Sequence, residues 1–165
     1  MNRPILIASA CLTGARCRWD GEEKQYPHLR KLFENCTVIP VCPEISIGLH
    51  VPRDPIRLVF DGTQTRLVRP ADGRDLTEAM CVFAQNFLFR YPGASGAILK
   101  SRSPSCGTVD TDLFASVTDP SPCGLGTGIF ASEVVANLGE SRVTDEKRLI
   151  DRQFLSHFMS AVLFI

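Results

Sequence analysis

Short apolar runs alternate along the chain with longer segments whose apolar residues recur every three or four positions. The runs are ILIASA (Ile5–Ala10), TVIPV (Thr37–Val41) and GAILK (Gly96–Lys100). Their brevity and apolar content predict strands, the first of them buried on both faces of a sheet. YPHLRKLFENC (Tyr26–Cys36) carries Leu29, Leu32 and Phe33 at helical spacing. A clearer helix starts at Asp75, a capping residue with Glu78 three positions on. Leu76, Met80, Phe83, Ala84, Phe87 and Tyr91 mark its apolar face, and Pro92-Gly93 ends it. IFASEVVANLG (Ile129–Gly139) predicts another helix, Arg142-Val143 a short last strand, and the tail an amphipathic helix with Phe154, Phe158 and Val162 four apart.

Two β-rich runs, IRLVF and TRLVR, flank Asp61-Gly62. An Asp-Gly pair between such runs is a strong hairpin signal. The segment Thr111–Gly128, rich in Pro, Ser and Gly, reads as a long polar connection. The expected fold class is therefore α/β: a mostly parallel open sheet flanked by helices, with a β-hairpin arm. Residues 1–149 are expected to form one domain and 150–165 a C-terminal helical tail.

Composition narrows the function. The 165 residues carry 18 Lys plus Arg against 18 Asp plus Glu, a formal net charge of zero. No basic excess points to a nucleic-acid backbone, so that partner is not expected and a small neutral ligand is. No apolar run approaches the ~20 residues of a membrane helix, so no membrane partner is expected either. The N-terminal run has a single basic flank, Arg3, and reads as the first strand. Seven cysteines, none in CxxC spacing, suit a reducing cytoplasm better than a disulfide framework.

Three of those cysteines share a setting: Cys11 follows the first strand, Cys42 the second, and Cys106 lies in the loop after the third. Loops beyond the carboxyl ends of parallel strands converge on one crevice, so three thiols distant in sequence can meet there. Three soft thiolates suit zinc with a fourth ligand yet to be found, or an iron–sulfur cluster with one iron left open. An open iron is a Lewis acid for a soft substrate sulfur. Cys17 stands close enough to Cys11 to replace it. Cys36 and Cys81 read as packing residues, and Cys123 lies in a loop. The histidines at 28, 50 and 157 are not clustered.

Glu44, two residues past Cys42, is placed to act as a general base for water. In SRSPSCG the hydroxyls of Ser103 and Ser105 can relay a proton or orient a ring. GLGTG (Gly124–Gly128) lacks the spacing of a dinucleotide loop but opens a helix whose first amides could meet a ligand oxygen, with Gly126 a candidate contact.

Four motifs in order, SACLTGARCRWDG, CPEISIGLHVPRDPIRL, ILKSRSPSCG and GLGTGIFA, resemble the thiouracil desulfidase family over about residues 5–149. The resemblance implies a [4Fe-4S] cluster used without net redox change to take sulfur from a small thiolated nucleobase, giving hydrosulfide and uracil from 4-thiouracil. It implies Cys11, Cys42 and Cys106 as cluster ligands and Glu44 and Ser103 as acid–base residues. Ser101, Ser105 and Gly126 are the expected substrate contacts, and iron–sulfur assembly machinery a transient partner. The rival expectation is a cluster carrier or zinc-binding regulator without turnover. It would need the same thiols but not Glu44. LIDRQFLSHFMSAV is similar to the opening of a second domain in longer relatives.

Overall fold

The computed structural model describes residues 3–163. Four strands, β1 (Ile5–Ser9), β2 (Thr37–Val41), β6 (Gly96–Leu99) and β9 (Val143–Asp145), form an all-parallel sheet in the order β2-β1-β6-β9. Register pairs Ser9 with Val41 and Ala8 with Ile98, so the carboxyl ends of β2, β1 and β6 lie level. The three predicted strands agree with the observed ones to within a residue at each end.

Alternation along each strand sends side chains to two apolar layers. Leu6 and Ile98 pack with Leu29 of helix α1 (Pro27–Glu34) and with Phe158 and Val162 of α5 (Arg152–Leu163). Ile7, Ala97 and Leu99 face the opposite layer. There they join Met80, Ala84 and Phe87 of α3 (Thr77–Arg90) and Phe130 and Val134 of α4 (Ile129–Leu138). Both faces of the sheet are thus covered, as its continuous apolar runs require. The tail helix closes one layer so tightly that a Cβ on Gly96 would stand 2.7 Å from Val162 Cγ2.

The hairpin is more than an arm. Its strands, β3 (Arg57–Phe60) and β4 (Thr65–Arg69), belong to a five-stranded mixed sheet. It is completed by β5 (Arg74–Asp75), β7 (Thr111–Phe114) and β8 (Gly124–Gly126), in the order β5-β4-β3-β7-β8. The segment read as a polar connection therefore holds two strands. Each is too short to show a period of two, and the Pro, Ser and Gly between them mask the pairing. Asp75 does not cap α3 as expected. It ends β5, two residues ahead of the helix, and its Oδ1 accepts the Thr77 amide at 2.9 Å. A further helix, α2 (Pro43–Ser46), follows β2 at once; four residues leave no periodicity to read. No helix among the described residues is long and apolar enough to cross a membrane.

Candidate active site

Four neighbouring strand ends deliver the chemistry. Past β1 the chain tightens into a 3₁₀ turn, Ala10–Thr13, which holds Cys11. Past β2, Cys42 precedes α2, whose first turn holds Pro43 and Glu44. Proline suits that position because its missing amide has no partner to lose there. Past β6 runs the loop from Lys100 to Cys106, and past β9 comes Glu146. Cys11, Cys42, Glu44, Ser103 and Cys106 line one cavity of about 370 Å³, together with Cys17, Trp19, Arg53, Lys100, Ser101 and Arg102.

The thiols are in close company. The Cys17 thiol lies beside those of Cys11 and Cys42, and the Cys42 thiol donates to the Cys17 carbonyl at 3.7 Å. The neighbouring Cys11 thiol, aided by burial, pushes the Cys17 thiol up to about 11, although Cys42 pulls the other way. Cys42 is raised further, by Cys17 beside it and then by burial. Burial pushes Cys106 up to about 12, against the Ser9 and Ser103 hydroxyls that hydrogen-bond its sulfur. A metal takes the place of such thiol protons when it binds. Among the described residues no three His, Cys, Asp or Glu side chains converge on a single ion position. An iron–sulfur cluster takes thiolates as its protein ligands, one on each of several irons. The donor set therefore fits an iron–sulfur cluster.

The loop after β6 is built on its serines. Ser103 Oγ accepts the amides of Ser105 at 3.2 Å and Cys106 at 3.0 Å, turning the chain so that the Cys106 thiol faces inward. Arg102 holds φ of 60°, a left-handed conformation that side chains other than glycine rarely adopt. Ser105 is fully buried, and its hydroxyl donates to Glu44 Oε1 at 3.0 Å. Ser101 donates to Glu146 Oε1 at 2.7 Å and accepts from the Lys100 ammonium at 3.0 Å. Lys100 also pairs directly with Glu146, whose other oxygen accepts the Ser101 amide at 2.8 Å.

Two of the expected substrate contacts thus have other occupations. The hydroxyls of Ser101 and Ser105 serve the carboxylates of Glu146 and Glu44, and only Ser101 of the pair lines the cavity. Gly126 lies on β8, where its nearest neighbours are Leu58 and Leu113, outside the cavity wall. The glycine of that run which meets the site is Gly128, packed against the backbone of Ser105 and Cys106. Cys36 and Cys81 pack in or against the apolar layers, and Cys123 is exposed. Arg53, Lys100 and Glu146 belong to the cavity or its supports, yet sequence reasoning missed them. Arg53 lies inside CPEISIGLHVPRDPIRL, and Glu146 has for a signal only its place after the last strand.

Fold and site together define an α/β protein that collects thiols, a carboxylate and a serine loop at the carboxyl ends of parallel strands, as a thiolate-held cofactor enzyme would. Comparison specifies the class further: residues 5–146 match the family described as 2-thiouracil desulfurase, and the chain belongs to that family. Over 113 residues it is 33% identical to the uncharacterized protein YbbK of Bacillus subtilis (strain 168), covering 63% of this chain and 74% of that protein. Its fold is that of the [4Fe-4S]-dependent thiouracil desulfidase TudS. The TM-score is 0.71 at 24% identity, over 99% of this chain and all of the other.

Proposed function

We propose that this chain is a [4Fe-4S]-dependent thiouracil desulfidase that cleaves the C=S bond with water and without net redox change. Thiouracil and water give uracil and hydrogen sulfide, released as hydrosulfide and a proton. The observation that carries the reading is one cavity holding three strand-end thiols, a fixed carboxylate and a serine loop. Cys11, Cys42 and Cys106 would hold the cluster, since they match the family's motif positions, and Cys17 would stay a thiol beside them. When bound, a cluster with three protein ligands supplies an open iron that acts as a Lewis acid toward a thiocarbonyl sulfur.

The remaining chemistry falls to side chains. Glu44 offers each oxygen's second lone pair to a water and takes its proton as that water attacks the thiocarbonyl carbon. Ser103, whose hydroxyl serves no carboxylate, would pass a proton to the ring nitrogen or the leaving sulfur. Its oxygen accepts two amides, which leaves its hydrogen on the side of the Cys106 sulfur. The hydrogens of Ser101 and Ser105 are committed to carboxylates. Trp19, half exposed, offers an aromatic surface at the cavity wall.

The family description names 2-thiouracil, whereas the motif resemblance implies 4-thiouracil; both isomers belong in the assay. A neutral small base suits the balanced charge better than a polyanion does. We assign the reaction to residues 1–149, in a reducing cytoplasm where assembly machinery can deliver the cluster. Anaerobically reconstituted protein should release sulfide from thiouracil with no reductant present. Release that depends absolutely on added reductant contradicts the proposal.

A further inference from the structure

Arg53 places a full positive charge on a side chain only 7% exposed, in the wall of the thiol cavity. A guanidinium keeps its charge in a protein, so burying it requires acceptors around its whole plane. Those acceptors come from three segments. Nε donates to Glu44 Oε2 at 2.8 Å, Nη2 to the Cys17 carbonyl at 2.9 Å and Nη1 to the His50 carbonyl at 3.1 Å. The Arg53 amide also donates to the Trp19 carbonyl at 3.0 Å. Glu44 thereby has one donor on each oxygen, Arg53 on Oε2 and Ser105 on Oε1. A carboxylate pinned at both oxygens cannot turn about its terminal torsion, which is otherwise broad.

We propose that Arg53 is a positioning residue for the desulfidation. It fixes the Glu44 carboxylate against Ser105 and ties it to the Cys17–Trp19 segment, so that base and thiol-bearing loop keep one relative placement. The inference rests on reading Glu44 as the base. Lysine cannot take over this role, because a single ammonium on a flexible stem does not reproduce a planar fork that bonds three segments at once.

The test is steady-state kinetics with 4-thiouracil on cluster-loaded Arg53→Ala, Arg53→Lys, Glu44→Gln and the double variant Glu44→Gln/Arg53→Ala. Misplacement of a reacting group by about 1 Å lowers rate by roughly 10²-fold. Arg53→Ala and Arg53→Lys should therefore lose about that much kcat, with KM little changed and visible absorption intact. Guanidinium ion at sub-denaturing concentration should recover part of the Arg53→Ala loss but give nothing in the double variant. In the Glu44→Gln background, removing Arg53 should cost no further activity. A crystal structure of Arg53→Lys should show the Glu44–Ser105 contact lengthened. If Arg53→Ala does not fold, Arg53→Lys, which retains the buried charge, decides the matter by its kcat and its structure. Wild-type kcat in the Arg53 variants, a rise in KM alone, or full additivity with Glu44→Gln overturns the proposal. Wild-type kcat in Glu44→Gln instead defeats the reading of Glu44 on which it rests.

Discussion

Replacing Gly128 with alanine puts the site's construction to a sharp test. Gly128 has φ of −59° and ψ of 148°, which any residue adopts, so alanine there meets no backbone strain. Space is the obstacle. The new Cβ would stand 2.5 Å from both the carbonyl carbon and oxygen of Ser105 and 2.8 Å from the Cys106 amide nitrogen. All three are backbone atoms and cannot swing aside. Reaching the 3.4 Å of ordinary contact requires the loop and α4 to part by about 0.9 Å. Three hydrogen bonds hold them together: Gly128 to Gly107 at 2.8 Å, Ile129 to Pro104 at 3.2 Å and Ala131 to Ser105 at 3.0 Å. Overpacking of this kind costs about 1–3 kcal/mol. In a chain of this length each kcal/mol lowers Tm by about 2–4 °C, so a fall of about 2–12 °C is expected. Because Cys106 moves with the loop, cluster content should fall as well. Gly124→Ala is the control, since a Cβ at that glycine meets nothing within 4 Å. Thermal unfolding of the metal-free protein and iron and sulfide analysis after anaerobic loading would read both effects. Gly128→Ala that matched Gly124→Ala in Tm and cluster content would refute the claim that this glycine seats the loop.

Other outcomes follow from the same geometry. Glu146 is held below its ordinary value near 4.5: burial alone would raise it, but the Lys100 ammonium and the Ser101 amide and hydroxyl outweigh burial. Its stabilisation is thus present above pH 4.5 and lost as the pH falls through the lower folded-state value. Urea unfolding of the metal-free protein should show that decline, and Glu146→Gln should flatten it; parallel pH profiles speak against the pairing. Lys100→Met strands a carboxylate only 4% exposed and should lower stability by roughly 3–5 kcal/mol, as breaking a buried pair does. A loss under 1 kcal/mol would mean water reaches Glu146. Ser103→Ala should lower kcat by about 10²–10⁴-fold as a lost proton donor. Ser105→Ala, which frees one oxygen of Glu44, should lower it by about 10–10²-fold, the worth of a hydrogen bond to a charged group. The reverse order would move the proton relay to Ser105.

Much of this arrangement was legible in residue order, for physical reasons that can be named. Parallel strands show as short unbroken apolar runs, so β1, β2 and β6 stood out, although β1 and β6 are buried on both faces and the edge strand β2 is partly exposed. Once their direction was settled, Cys11, Cys42 and Cys106 had to share an end of the sheet. The second sheet was hidden because β7 and β8 are four and three residues long. β7 pairs in parallel with the distant β3, and β8 with β7 across a Pro- and Ser-rich loop, so neither pairing leaves a local period. The support around the site was hidden for a related reason. Arg53, Lys100 and Glu146 have no local pattern to mark them until the fold brings them against Glu44 and Ser101. Ser101 and Ser105 were rightly associated with the loop, yet which way a hydroxyl points depends on carboxylates 45 and 61 positions away. Gly126 and Gly128 differ only in what stands opposite them, which a glycine-rich string does not record.

The most direct measurement is the iron and sulfide content of anaerobically loaded protein across single Cys→Ser variants of all seven cysteines. Wild-type protein and the variants at Cys17, Cys36, Cys81 and Cys123 should each hold about four irons and four sulfides per chain, as one cubane requires. Variants at Cys11, Cys42 and Cys106 should lose them. A full cluster in any of those three, or its loss on changing Cys17, would contradict the assignment of the ligands.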